Sequence, residues 1–450
     1  MAIPLPPWLS VVAVSRNDGH GGDLARRTRL FMRSLAWQAR AFRLPTELVL
    51  VEWNPPHDAP PLAEELCIPA HSLFTTRIIT VPAQVHMALH HAQHQPLFQM
   101  IGKNVGLRRA RGEFLLATNV DVLLDDALFE AIAQRALDPR RMYRAERWDV
   151  RPDIPEENHR ALQRYLRTPA NLLRRNRRRL PGPERDRKKK ADAHPIPGHT
   201  NAGPFPGATY GSCGSARVVA LAADAPAERL FTNACGDFTL MHGDAWRLLR
   251  GYGEFETQSL HLDSVGCVAA HAAGYLETSF LPPLVCYHLE HGQGTGAMRD
   301  VAWNADKDAR TRFIADCVAR CLPILDDTVI WHTVVEDLRR TPGMRLNSPK
   351  WGLRDFDLKE TVFTASGIVE VPGSPPCSGD LRSPSALHDA HDAAVCLQRT
   401  YYRYALNPDK VRRYARAGFL EGHPVGRIGL AALTGLVRWL RRLGWKGSAT

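Results

Sequence analysis

The sequence lacks several features that would assign it quickly. No run of about 18–20 uncharged apolar residues occurs among the 450 positions, so no helical membrane span is expected. No C-x-x-C pair occurs. The nine cysteines (Cys67, Cys213, Cys235, Cys267, Cys286, Cys317, Cys321, Cys377 and Cys396) are scattered and odd in number, which fits a reduced chain better than a disulfide framework. Cys317 and Cys321 stand one helical turn apart, but no second ligand pair lies nearby to complete a zinc site. The stretch Met1 to Asp18 lacks a basic leader before its apolar run, so no secretory signal is expected. No glycine-rich phosphate loop follows that run, and no internal repeat is visible.

Charge of one sign is abundant, but only locally. Lys and Arg number 58 against 47 Asp and Glu, for a formal net charge of +11. Between Arg160 and Lys190 lie 13 basic residues and two acids, Glu184 and Asp186, so this segment alone carries the whole excess. Tyr165 is its single aromatic, leaving nothing on which bases could stack, and no nucleic-acid fold motif accompanies it. A nucleic-acid partner is therefore not expected. A solvated insert, or one facing an anionic membrane surface, fits better.

Ahead of the insert, apolar runs alternate with helical patterns. Leu9 to Val14 reads as a buried strand opening into Ser15-Arg16-Asn17-Asp18-Gly19, and Leu24 to Phe42 as a helix. Glu47 to Trp53 is a second strand stopped by Asn54-Pro55-Pro56, and Arg77 to Val81 a third. Leu97 to Arg111 is a helix ended by Gly112. Glu113 to Thr118 is a fourth strand, a helix starts near Asp125-Asp126, and Met142 to Ala145 offers a fifth strand. Such alternation implies an α/β fold with a doubly wound, mostly parallel sheet, whose ligands bind at the carboxyl ends of the strands. Polar clusters at 15–19, 52–54 and 119–121 occupy those ends. The expected organisation is a donor-binding half at 1–150, a basic Pro/Arg-rich insert at 151–230 with regular structure resuming around Leu230, an acceptor and metal half at 231–300, and a largely helical region at 301–450.

Asn119-Val120-Asp121 follows an apolar strand, and an amide oxygen with a carboxylate there can hold a hard cation against a diphosphate; a turn capping its own backbone is the structural alternative. Lys103-Asn104 through Ala110-Arg-Gly112-Glu-Phe-Leu-Leu-Ala to Asn119-Val-Asp121 resembles the core of a family 2-type glycosyltransferase of GT-A fold, with Asn119 where that family has the first Asp of an Asp-x-Asp metal motif. Cys235-Gly236-Asp237, then Gly251-Tyr252, then Leu262-Asp263 is similar to the acceptor region of galactosyltransferases, with Leu262 in place of a Glu. Leu284 to Gly292, with His288 and His291 around Glu290, resembles the family's late histidine beside metal and diphosphate.

The resemblance implies a hexosyltransferase-like enzyme of glycan biosynthesis. It would use a UDP- or GDP-sugar, a divalent cation (Mn2+ or Mg2+) and a glycan or lipid-linked acceptor, with inversion at the sugar. It implies donor contacts from Ser15, Asn17, Asp18, Glu52, Lys103, Asn119 and Asp121, and metal ligands Asp121, His288 and His291. Asp263 is the first candidate for the base that accepts the acceptor's proton, with Asp237 second; Asp263 also reads as a helix N-terminal residue. A catalytically silent sugar-nucleotide or glycan-binding relative is the alternative. In the tail, Arg427, Arg438, Arg441 and Arg442 gather opposite Ile428, Leu433, Leu436 and Leu440 on a helical wheel, the pattern of a membrane-surface helix or of one docked on the protein itself. The expected location is cytoplasmic, peripheral at the inner face of the membrane.

Overall fold

The computed structural model describes residues 6–156, 158–176, 208–222, 224–291, 317, 335–341 and 344–373. The chain begins β1 (Leu9–Ser15), α1 (Leu24–Ala41), β2 (Thr46–Trp53), α2 (Leu62–Glu65), β3 (Phe74–Val81) and α3 (Ala83–Met87). It continues α4 (Gln99–Arg109), β4 (Phe114–Ala117), β5 (Val122–Leu124), α5 (Asp126–Ala133), β6 (Arg141–Arg144), β7 (Glu146–Val150), α6 (His159–Arg167) and β8 (Leu172–Asn176). After the break come β9 (Ala208–Cys213), β10 (Ala216–Leu221), β11 (Thr239–His242), α7 (Gly243–Leu249), α8 (Leu262–Ala272), β12 (Leu276–Phe280) and β13 (Val285–Leu289). The last described elements are α9 (Val335–Arg340), β14 (Lys359–Thr364) and β15 (Gly367–Val371).

The class is α/β, as expected. An eleven-stranded sheet runs β15-β14-β3-β2-β1-β4-β11-β6-β12-β10-β9. Its centre is the parallel block β3-β2-β1-β4. β11 joins antiparallel to β4 and β6, and β6 pairs parallel with β12. Every residue of β1 and β2 is buried, the signature of strands covered by helices on both faces. Side chains alternate accordingly. Val12, Val14, Val49 and Val51 pack with Ile101, Val105, Trp246 and Val265 of α4, α7 and α8. Val11, Ala13, Leu48 and Leu50 pack on the opposite side with Leu30, Phe31, Leu35 and Phe129 of α1 and α5.

α4 lies close on this sheet because two of its residues are glycine. A Cβ at Gly102 would come within 2.6 Å of Val14 Cγ2, and one at Gly106 within 2.5 Å of Val12 Cγ1. Asn104 then clamps the helix to the segment after α7, donating from Nδ2 to the Tyr252 carbonyl at 2.7 Å and accepting the Tyr252 N–H at 2.8 Å.

A four-stranded sheet, β5-β13-β7-β8, stands against the large one. Three strands feed it directly: β4 passes through 118–121 into β5, β6 through Ala145 into β7, and β12 through 281–284 into β13. The chain thus leaves one sheet for the other three times, and the crossings bring the polar residues together.

Two parts of the chain differ from expectation. The β9–β10 hairpin, Ala208–Leu221, is regular structure ahead of the Leu230 expected, and with Val218 and Ala220 buried it extends the large sheet at one edge. Residues 359–371, expected within a tail of turns and helices, form the β14–β15 hairpin at the other edge; Thr361-Val-Phe and Ile368-Val-Glu-Val carry strand-forming side chains around the turn at Gly367. The basic run beyond Asn176, most of the 305–340 helix and the amphipathic stretch 427–445 lie outside the described residues. Among the described residues no helix is long and apolar enough to cross a membrane.

Candidate active site

Strand register brings the metal candidates together. β13 is flanked by β5 and β7, with His288 opposite Val122 on one side and opposite Asp149 on the other. The Leu289 N–H donates to the Asp121 carbonyl at 3.0 Å, fixing the residue before β5 beside the end of β13. Asp121, His288 and His291 each offer a ligand atom, and these atoms all lie within 4.8 Å of one another. His291 Nε2 stands 3.0 Å from Asp121 Oδ2, and Arg27 Nη1 reaches the same oxygen at 2.8 Å. Burial works to raise the Asp121 carboxyl, but the hydrogen bond from His291 and the charges of His288 and Arg27 outweigh it and hold it well below the usual carboxylate range.

This cluster opens on a cavity of about 280 Å³ at the carboxyl ends of β1 and β4, where open α/β sheets bind ligands. Ser15, Asp18, Asn119, Asp121, Asp237, His288 and His291 all line it. Ser15 Oγ is buried and makes no hydrogen bond among the described residues. Asn119 accepts from Gln99 Nε2 at 2.7 Å and donates to Asp237 Oδ1 at 2.5 Å, which ties the link after β4 to the carboxylate before β11. Asp18 pairs with Arg16 at 2.8 Å and accepts the His20 N–H at 3.1 Å.

Four sequence candidates stand elsewhere. Glu52 ends β2 as expected, but its carboxylate is 1% exposed and turned inward, accepting the Leu62 N–H at 2.7 Å at the start of α2 and the Thr80 hydroxyl at 3.2 Å. Burial pushes its carboxyl above the ordinary range, against those two donors. Lys103 is fully buried and donates to the Gly236 carbonyl at 2.7 Å; burial pulls its ammonium below the ordinary range against the attraction of Asp237 and Asp263. Asp263 accepts the Gly236 N–H at 2.7 Å and the Ser264 N–H of its own helix at 2.9 Å, standing behind the Gly236 backbone rather than among the cavity walls. Asn17 donates to the Pro60 carbonyl at 2.8 Å on the surface.

Sequence reasoning missed His20 and Arg147 among the residues that line the cavity, Arg27 and Asp149 among those that pair with its walls, and Arg174, which pairs with Asp149. Arg147 spans two carboxylates, with Nε 3.0 Å from Asp149 Oδ1 and Nη1 2.6 Å from Asp237 Oδ2. Burial alone would lower its guanidinium, but Asp237 and Asp149 push it up and keep it charged. Arg27 offered a signal, since it is a basic residue among the buried positions Leu24, Thr28 and Phe31 of α1. Arg147 and Asp149 alternate on β7, one strand beyond where the apolar pattern was legible.

A carboxylate with two imidazoles can hold a divalent first-row transition cation and suits Mg2+ less, since Mg2+ prefers oxygen ligands throughout. The second cluster of possible ligands, Asp149, His288 and Glu290, is less suited. Arg174 holds Asp149 Oδ2 and Arg147 Nε lies 3.0 Å from Oδ1, so a cation would face two guanidinium groups.

No family model and no curated protein matches the chain. Among solved structures, TarS of S. aureus is similar over 73% of this chain and 71% of that one, at 9% identity and a TM-score of 0.34. A structure of GalNAc-T7 with UDP, GalNAc and Mn2+ is similar over 78% of this chain and 56% of that one, at 12% identity and a TM-score of 0.35.

Proposed function

We propose that the chain is a glycosyltransferase of GT-A type, moving a hexose from a nucleoside-diphosphate donor, UDP- or GDP-linked, to a glycan or lipid-linked acceptor. The observation that carries this is the convergence of Asp121, His288 and His291 on a cavity at the carboxyl ends of the parallel strands, which a second carboxylate, Asp237, also lines. Asp121, His288 and His291 would hold the cation, and a cation there supplies charge neutralisation for the leaving diphosphate. Arg27 and Arg147 bring fixed positive charge to the same volume. Asp237 takes precedence over Asp263 as the base for an inverting attack, because it is among the residues that line the cavity and Asp263 is not.

The test is release of UDP or GDP from a panel of sugar nucleotides, with Mn2+ and with chelator. Sugar-dependent, Mn2+-stimulated release is expected; nucleotide binding with no release under any condition would instead identify a silent binding relative. Association with an anionic membrane surface at the inner leaflet is a separate proposal resting on the basic residues of 160–190 and 427–445. Co-sedimentation of the full chain with anionic but not neutral vesicles is the expected result.

A further inference from the structure

We propose that Asp149 is the positioning residue for His288. Its carboxylate holds the imidazole by Nδ1, so that Nε2 is the nitrogen presented to a divalent cation shared with Asp121 and His291. The proposal rests on the metal-assisted function set out above. Three strands of the small sheet carry it. Asp149 on β7 lies in register with His288 on parallel β13 and with Arg174 on antiparallel β8, so the three side chains form one row across the sheet.

Asp149 is fully buried at the centre of that row. His288 Nδ1 stands 3.2 Å from its Oδ1, Arg147 Nε stands 3.0 Å from the same oxygen, and Arg174 Nε binds Oδ2. Arg147 is itself anchored to Asp237 at 2.6 Å. Arg174 holds Oδ2, while Oδ1 and His288 Nδ1 face each other and are both buried without a hydrogen-bond partner among the described residues. A proton on the imidazole nitrogen that faces Oδ1 turns this 3.2 Å contact into a hydrogen bond and satisfies both atoms. A neutral imidazole has one N–H and one lone pair, so fixing the proton on Nδ1 leaves the lone pair on Nε2. His288 lines the cavity, which is where that lone pair is needed. Metal-binding histidines are oriented in this way by a carboxylate on their other nitrogen, and loss of that partner weakens metal binding about 10- to 100-fold.

The test has two parts. In wild-type protein labelled with 15N-histidine and free of metal, long-range 1H–15N spectra at a pH where imidazole is neutral should show His288 as the Nδ1–H tautomer. An Nε2–H tautomer would overturn the proposal without any variant having to fold. Mn2+ titration followed by electron paramagnetic resonance, with UDP present, should then give affinity about 10- to 100-fold weaker in Asp149→Asn than in wild type. Equal Mn2+ affinity in wild type and Asp149→Asn overturns the positioning role alone. Absence of Mn2+ binding in the wild type overturns the metal-assisted function beneath it, and survival of the Nδ1–H tautomer tells that failure apart from a misplaced His288.

Discussion

Two strands of the parallel block end beside a carboxylate, and the two carboxylates have opposite surroundings. At the end of β2, the chain folds straight back through α2, and Glu52 is consumed by the Leu62 N–H and the Thr80 hydroxyl. Beyond β4, the chain crosses to the second sheet instead of folding back, and Asp121 meets His291, His288 and Arg27 at the edge of a cavity. The same contrast separates Asp263, whose oxygens accept backbone N–H groups behind Gly236, from Asp237, one residue after that glycine and facing the cavity. A polar residue at a strand's carboxyl end is thus only a candidate. What the following segment does, whether it closes over the side chain or moves away to another layer, decides whether the residue faces a ligand.

The sharpest way to break this comparison is to remove the carboxylate on the open side. Asp121→Ala is expected to weaken Mn2+-dependent donor binding at least 100-fold in calorimetric titration, the scale of losing a charged metal ligand, while binding in chelator changes little. Asp237→Asn comes next. Transfer should fall about 100- to 10,000-fold with donor affinity kept within about threefold, as expected for loss of a general base. Asp263→Asn should cost about 1–2 kcal/mol in denaturant unfolding, because an amide must face a buried N–H, while transfer persists. A collapse of transfer with stability unchanged would restore Asp263 to the catalytic role first expected of it.

Smaller effects sharpen the same contrast on its buried side. Burial pushes the Glu254 carboxyl up to about 7, against the Gly352 N–H at 2.7 Å and Asn104 Nδ2 at 3.1 Å. The folded protein therefore holds a proton that the unfolded chain releases near the ordinary value of 4.5. This group's contribution to stability is full below that value, declines as pH rises through about 7 and is level above it. Glu254→Gln should flatten that decline in unfolding midpoints measured from acid to neutral pH. Glu52→Gln should have the smallest functional effect, leaving donor affinity within about twofold, since its oxygens serve the fold.

Much of the scaffold was legible because it is written in local patterns. The largely apolar β1 and β2, the helix that ends at Arg109 shortly before Gly112 and the polar clusters at strand ends all follow from residue type and spacing over short windows. Asp121, His288 and His291 were legible through their resemblance to a known motif. Arg147 and Asp149 were not, because their roles depend on β7 lying between β13 and β8, a register that no window of sequence contains. Glu52 and Lys103 were placed near the donor on position alone, and their burial depends on α2 and on the Gly236 carbonyl, both contributed by distant segments.

The central claim is that the three residues gathered at the sheet crossing bind a cation that in turn binds a nucleoside diphosphate. Calorimetric titration of the full chain with UDP and with GDP, each in Mn2+ and in chelator, tests it most directly. At least one of the two nucleotides should bind 10-fold or more tightly with Mn2+, as expected when a bridging cation completes the site; equal affinity with and without the metal for both would contradict it.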